Sequence, residues 1–271
     1  MLNIKQFVIT VEVVPPAGPD PAPLLTALKP LAPLPIDAFS VATNPVAKPR
    51  MSAMALCHLI QRGTGRPAVL HLTTRDHNRL SLQALLWGAQ ALGIETVLAA
   101  SGDFVALEER RRTTTVRDLS VFDLIQMARE SGFQTGVVFD PHWEQDGLDE
   151  AVERLMKKAA SGAQFAVTQP VYDADGVNRL QTVLAGIGMP VLMGILPLRS
   201  PRHAEFLHAR VAGISVPAVL RGRMHRAADP AAEGIANASD MLAAARRTFA
   251  GACIMPPFDH YEDLEKILSR S

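Results

Sequence analysis

Eight short apolar runs, each followed by a longer amphipathic stretch, constrain this chain more than any other feature. The runs are FVITVEVV (7–14), DAFSVA (37–42), AVLHLTT (68–74), ETVLAA (95–100), QTGVVFD (134–140), QFAVTQ (164–169), VLMGIL (191–196) and ACIMP (252–256). Most are apolar without alternation, the pattern of parallel strands covered on both faces. The stretches between them have helical spacing. Leu82, Leu85, Leu86, Ala89 and Leu92 precede Gly93, and Ala151, Val152, Leu155, Met156 and Ala159 repeat the pattern. Glu153 and Lys157 sit four apart on another face of that second stretch. Ser200-Pro201 and Asp229-Pro230 read as helix starts, with 229–250 as one long helix. Leu24, Leu25, Leu28 and Leu31 mark a helix inside the proline-rich 15–35. Eight β/α units without a shift in composition predict one (β/α)8 TIM barrel, an α/β fold spanning residues 1–271 as a single domain. An open doubly wound sheet is the competing architecture, but no GxGxxG turn follows the first run.

Charge narrows the partners. Lys plus Arg and Asp plus Glu both number 27, so the formal net charge is zero. A nucleic acid or an anionic membrane surface normally requires a basic excess, which leaves small molecules as the expected ligands. Cys57 and Cys253 have neither metal-ligand nor redox spacing and read as small buried hydrophobes. The N-terminal MLNIKQFVITVEVVPP reads as a first strand rather than a secretory signal, and no apolar run has the length of a membrane span. The expected location is the cytoplasm.

In a barrel of this kind, chemistry collects at the C-terminal ends of the strands. Those ends carry Glu12, Thr43, Asn44, His71, Thr73, Thr74, Arg75, Asp76, Ser101, Asp103, Asp140, His142, Gln169, Tyr172 and Asp173. Glu12 lies within Val-Glu-Val-Val, where lost hydration favours the neutral acid that proton donation needs; an ion pair inside the barrel is the alternative. Asp103, in Ala-Ser-Gly-Asp, is either a turn residue or a site carboxylate. Gln169, in Thr-Gln-Pro, either caps the mouth or reads the edge of a heterocycle with its amide. His71 fits a satisfied interior histidine, and Arg75-Asp76 a surface ion pair of little energetic weight. His203, His208, His225 and His260 lack ligand spacing and read as solvated or capping groups. No hydrolytic triad, phosphate loop or metal-ligand cluster falls at these positions.

Ordered short matches then carry a resemblance to a known family. They are Val11-Glu12-Val13-Val14-Pro15-Pro16; Asn44-Pro45 with Pro49-Arg50-Met51-Ser52; His71-Leu72-Thr73-Thr74-Arg75-Asp76; Ser101-Gly102-Asp103 after 88–94; Thr168-Gln169-Pro170-Val171-Tyr172-Asp173; Gly194-Ile195-Leu196-Pro197-Leu198; Ala204-Glu205-Phe206-Leu207; and Pro256-Pro257-Phe258. In order and spacing they resemble the methylenetetrahydrofolate reductase family, and more closely its branch related to the reductase half of homocysteine methyltransferase fusions. The resemblance implies a barrel holding FAD noncovalently, with FMN as the alternative flavin, and NADH or NADPH as electron donor. Methylenetetrahydrofolate would be reduced to methyltetrahydrofolate in a ping-pong cycle serving one-carbon metabolism, with methionine synthesis (methionine biosynthesis) and one-carbon catabolism as the alternative pathways. By the same resemblance Glu12 matches the general acid and Asp103 the carboxylate between flavin and pterin. Gln169 matches a pterin ligand, with Tyr172 beside it as a substrate contact. His71, Thr73, Ser101, Gly102, Asp103, Asp140 and His142 then fall on the flavin side.

The sequence departs from the family at several places. Ser101 stands where many members have an arginine, Phe104-Val105 replace prolines, and Asp140-Pro141-His142-Trp143 replace Asn-Pro. Pro201 stands where some members have an aromatic residue. These departures keep open a folate-binding methyl-transfer barrel without redox chemistry. They also keep open an accessory chain assembled with a reductase partner subunit; a homo-oligomer is the alternative assembly.

Overall fold

All eight apolar runs form strands in the computed structural model, which describes residues 1–107, 110–141, 148–211 and 213–269. The strands are β1 (Val8–Val13), β2 (Ala38–Val41), β3 (Ala68–Thr73), β4 (Thr96–Ala100), β5 (Gln134–Phe139), β6 (Phe165–Pro170), β7 (Val191–Ile195) and β8 (Gly251–Ile254). Each pairs in parallel with the next, and β8 returns to β1, closing a (β/α)8 barrel. The helices are α1 (Ala22–Leu28), α2 (Ala53–Thr64), α3 (Arg79–Ala91), α4 (Val121–Glu130), α5 (Leu148–Ala160), α6 (Ala174–Leu184), α7 (Pro201–Arg210), α8 (Ala218–Arg226), α9 (Pro230–Thr248) and α10 (Asp263–Ser269).

Alternation along each strand divides the core in two. Val11, Phe39, Leu70, Val97, Met193 and Ile254 face outward and join the helices in the main core. Val8, Ala38, Val69, Phe165, Leu192 and Cys253 form a second cluster inside the barrel, closed by Leu2. Gly136 makes room for Phe165 there, because a Cβ at Gly136 would lie 2.2 Å from the ring's Cζ. Gln134 clasps the Leu2 backbone, accepting its N–H at 2.7 Å and donating to its carbonyl at 3.0 Å. The lower barrel interior is therefore filled by side chains.

Capping follows the sequence expectations. Ser200 Oγ accepts the His203 N–H at 3.1 Å at the start of α7, and Asp229 Oδ1 accepts the Ala232 N–H at 3.0 Å at the start of α9. Helix α8 lacks a readable apolar stripe, with only Leu220 and Met224 buried. Together with α7 it builds a third apolar cluster that includes Leu198, Leu207, Ile214 and Val216. Among the described residues no helix is long and apolar enough to cross a membrane, and no group of three or more His, Cys, Asp or Glu is placed to hold a metal.

Candidate active site

Strand alternation sends Val11 and Val13 outward, and therefore Thr10 and Glu12 inward. Glu12 stands beside Ser40 in the β1–β2 register, and no described residue hydrogen-bonds its carboxyl. Burial, reinforced by the nearby charge of Asp103, raises its pKa to about 7. A carboxyl so placed is partly protonated at neutral pH, as a proton donor requires. On β3 the His71 Nε2 shares a hydrogen bond of 2.7 Å with Ser40 Oγ. Burial lowers the His71 pKa to about 4, so its ring is neutral.

The Asp103 carboxylate reaches the same mouth from the loop after β4. Its Oδ2 accepts the Val46 N–H at 2.5 Å. The preceding Gly102 has φ 88°, and a Cβ there would lie 2.9 Å from Arg75 Cβ. Arg75 overturns its reading as half of a surface ion pair, because only 4% of it is exposed. Its guanidinium holds both Asp76 oxygens at 2.6 Å, and it also donates to the carbonyls of Asp103 at 3.1 Å and Asn44 at 3.2 Å. Asp76 additionally accepts from Asn44 Nδ2 at 3.2 Å and Thr73 Oγ1 at 3.4 Å. One planar fork thus joins the loops after β2, β3 and β4.

Backbone strain marks the same place. Among the described residues, five without glycine's freedom have positive φ: Asn44, Val46, Ala47, Phe258 and Asp259. They lie in the loops after β2 and after β8, the two strands that flank β1 and Glu12. Strain of this kind concentrates where function demands a fixed geometry.

Gln169 is aimed by an irregularity in pairing. The β6–β7 register shifts between Val167 and Pro170. Thr168 Oγ1 donates to the Gln169 carbonyl at 2.7 Å and accepts the Gly194 N–H at 2.9 Å. The Gln169 side-chain amide has no partner among the described residues, so its donor and its acceptor are both available to a ligand.

Other expected site residues are placed differently. Tyr172 was expected to touch substrate, but it is 3% exposed and packs in the α7–α8 cluster. Its hydroxyl has no partner there, and burial pushes its pKa up. Apolar packing under two helices, rather than the mouth, has taken the ring. Asp140 turns toward the α7–α8 connection, where a Cβ at Gly213 would lie 2.4 Å from its Oδ1. Thr73 is buried and spends its hydroxyl on Asp76. His142 lies outside the described residues.

The structure also reveals cations that the sequence left unread. Arg154 of α5 donates to Ser101 Oγ at 3.4 Å. Four residues on, Lys158 donates to the Val138 carbonyl at 2.6 Å. Burial, helped by Arg154 and opposed by Asp140, brings the Lys158 ammonium down to about 8. Their i, i+4 spacing was visible, but it is shared with the exposed Glu153–Lys157 pair on the same helix. After β8, Tyr261 is buried and its hydroxyl donates to Asp259 Oδ1 at 3.2 Å.

A family profile described as methylenetetrahydrofolate reductase matches residues 1–248. Methylenetetrahydrofolate reductase 1 of Schizosaccharomyces pombe is 28% identical over 175 residues, covering 60% of this chain and 28% of that protein. Methylenetetrahydrofolate reductase 2 of the same yeast is 25% identical over 199 residues, covering 67% and 31%. The matched segments amount to less than a third of either yeast protein. A Clostridium thermocellum protein, described as binding two copies of 5-methyl-5,6,7,8-tetrahydrofolic acid, superposes with TM-score 0.68 at 13% identity, covering 98% of this chain and 93% of that one. A 2,3-dimethylmalate lyase reaches 0.54 at 14% identity, covering 98% and 81%. At those identities the structural likenesses speak for the barrel alone. The sequence profile goes further, running from the first residue to the end of α9, and it places the chain in the methylenetetrahydrofolate reductase family.

Proposed function

We propose that the chain reduces 5,10-methylenetetrahydrofolate to 5-methyltetrahydrofolate at the barrel mouth, with a flavin recharged by NADH or NADPH. The observation that carries this is Glu12, a carboxyl with a pKa near 7 that feels the charge of Asp103 across the mouth. Protonated Glu12 donates to the bridging nitrogen of the substrate's five-membered ring. The carbon–nitrogen bond then breaks toward that nitrogen and leaves an iminium on the other. Asp103, anchored by the Val46 N–H, sets a negative charge near the new cation. Gln169 offers a donor and an acceptor to the pterin edge. A bound flavin supplies the hydride that turns the iminium carbon into a methyl group.

The residues present fit such a cofactor. Arg154 and Lys158 bring positive charge to Ser101 and the end of β5, suited to the diphosphate of FAD. Asp140 is turned toward Gly213 and leans on Lys158 electrostatically, which supports its charge being kept from that diphosphate. Gly102 adds no side chain beside Thr73 and Arg75, and neutral His71 is suited to an uncharged ring. FAD is therefore the preferred flavin.

The test is an absorbance spectrum of the purified protein, before and after NADH and then methylenetetrahydrofolate. A yellow protein, bleached by the first and recoloured by the second, is expected. Protein that stays colourless after incubation with FAD and FMN, yet binds folate, overturns the reductase reading in favour of folate binding without redox chemistry.

A further inference from the structure

Phe258 is 73% exposed, yet it stands in a strained and firmly held turn. Its backbone is left-handed (φ 54°, ψ 36°), as is that of Asp259 (φ 59°). An exposed loop has no packing reason to keep an aromatic residue in that conformation. The turn is nonetheless pinned. The His260 N–H donates to the Pro257 carbonyl at 3.2 Å, and the Tyr261 N–H to the Asp259 carbonyl at 2.8 Å. The buried Tyr261 closes it with its hydroxyl on Asp259.

The ring itself is oriented. It meets the His203 ring with centroids 5.1 Å apart and planes tilted by 56°. His203 is fixed in turn, its Nδ1 accepting the Arg199 N–H at 3.3 Å and its own N–H donating to Ser200 Oγ at 3.1 Å. Burial and the neighbouring Arg199 both lower the pKa of that imidazole, which favours its neutral form. Phe258 is thus supported by α7 while most of its surface faces solvent. Because β8 pairs with β1, the turn leaves the barrel from the strand next to the one that carries Glu12.

We propose that Phe258 is a stacking platform for a single flat, conjugated six-membered ring carried by an incoming ligand, and so a determinant of specificity. This rests on the folate reading above, which offers two sources of such a ring. One is the p-aminobenzoyl group joined to the pterin, and the other is the nicotinamide of the electron donor. Both are flat six-membered rings that must stand close to the reacting centre, and both gain from an aromatic face oriented in advance.

Phe258→Leu keeps apolar bulk and removes the aromatic face, whereas Phe258→Trp keeps that face. Stopped-flow absorbance separates flavin reduction by NADH from reoxidation by methylenetetrahydrofolate. We expect Phe258→Leu to raise the half-saturating concentration about tenfold in one half-reaction, and Phe258→Trp to restore it. A change in the folate step assigns the p-aminobenzoyl ring, and one in the donor step the nicotinamide. Less than a twofold change in both steps, or failure of tryptophan to rescue, overturns the proposal. Should the protein hold no flavin, the reductase reading falls and equilibrium binding decides this inference separately. Phe258→Leu would then weaken 5-methyltetrahydrofolate about tenfold and leave a tetrahydropterin lacking the aryl group unchanged. Equal effects on the two ligands overturn it. Unchanged thermal midpoints check that the exposed substitutions leave the fold intact.

Discussion

At the scale of single residues, Glu12 sets both chemistry and stability. Glu12→Gln should slow folate reduction by about 10²-fold or more while leaving flavin reduction by NADH within twofold, since only the folate half-reaction needs its proton. Stopped-flow kinetics of the two half-reactions check this, and equal losses in both would contradict the role. The same carboxyl links stability to pH. Its native pKa of about 7 lies above the ordinary 4.5, so between those values the folded state binds more protons than the unfolded chain. Stability from this group is therefore complete below pH 4.5, falls as pH rises, and is fully lost above about 7. Relative to wild type, Glu12→Gln should gain about 2 kcal/mol on going from pH 5 to pH 8, read from denaturant midpoints. A difference that does not vary with pH would mean that the acid is not held protonated. Arg75→Met leaves the Asp76 carboxylate without its fork and should cost about 3 kcal/mol in urea unfolding. A cost below 1 kcal/mol would return the pair to the surface class that the sequence suggested.

At the scale of elements, patterning was legible and pairing was not. The eight strands lie within two residues of the apolar runs at either end, because continuous Val, Ile and Leu is what a doubly covered strand requires. The proline-led starts of α7 and α9 were readable from their caps. Helix α8 was missed because its buried residues are too few to show a period. The β6 irregularity left no mark on the sequence, since a register shift belongs to two strands at once. It can be tested through Gly194, where a Cβ would fall 2.4 Å from the Thr168 carbonyl oxygen. Gly194→Ala should displace Gln169 and raise the KM for folate. Gly234→Ala, whose Cβ would fall 1.8 Å from the Leu198 carbonyl oxygen, should cost about 3 kcal/mol. Gly63→Ala is the control, lying in α2 with nothing within 4 Å of its Cβ, and should gain about 0.5 kcal/mol. Similar melting shifts for Gly63 and Gly234 would refute the steric account.

At the scale of the whole molecule, barrel closure decides which distant residues meet. Arg154 arrives at Ser101 from α5, across 53 positions in sequence. Arg154→Ala should weaken FAD about tenfold and leave riboflavin, which lacks phosphate, nearly unchanged in fluorescence titration. Equal weakening of both would remove the guanidinium from the diphosphate. What the sequence determined alone was local: where strands and helices run, which ends carry polar residues, and that Glu12, Asp103 and Gln169 deserved notice. Those are properties of spacing and side-chain type, which hydrophobic periodicity and capping chemistry express within a dozen residues. Only the closed barrel decided that Asp103 acts on Glu12, that Arg75 is buried across three loops, that Tyr172 turns under α7 and α8, and that strain gathers beside β1. Desolvation and charge coupling depend on distances between segments far apart in the chain, and those distances exist only once β8 has met β1.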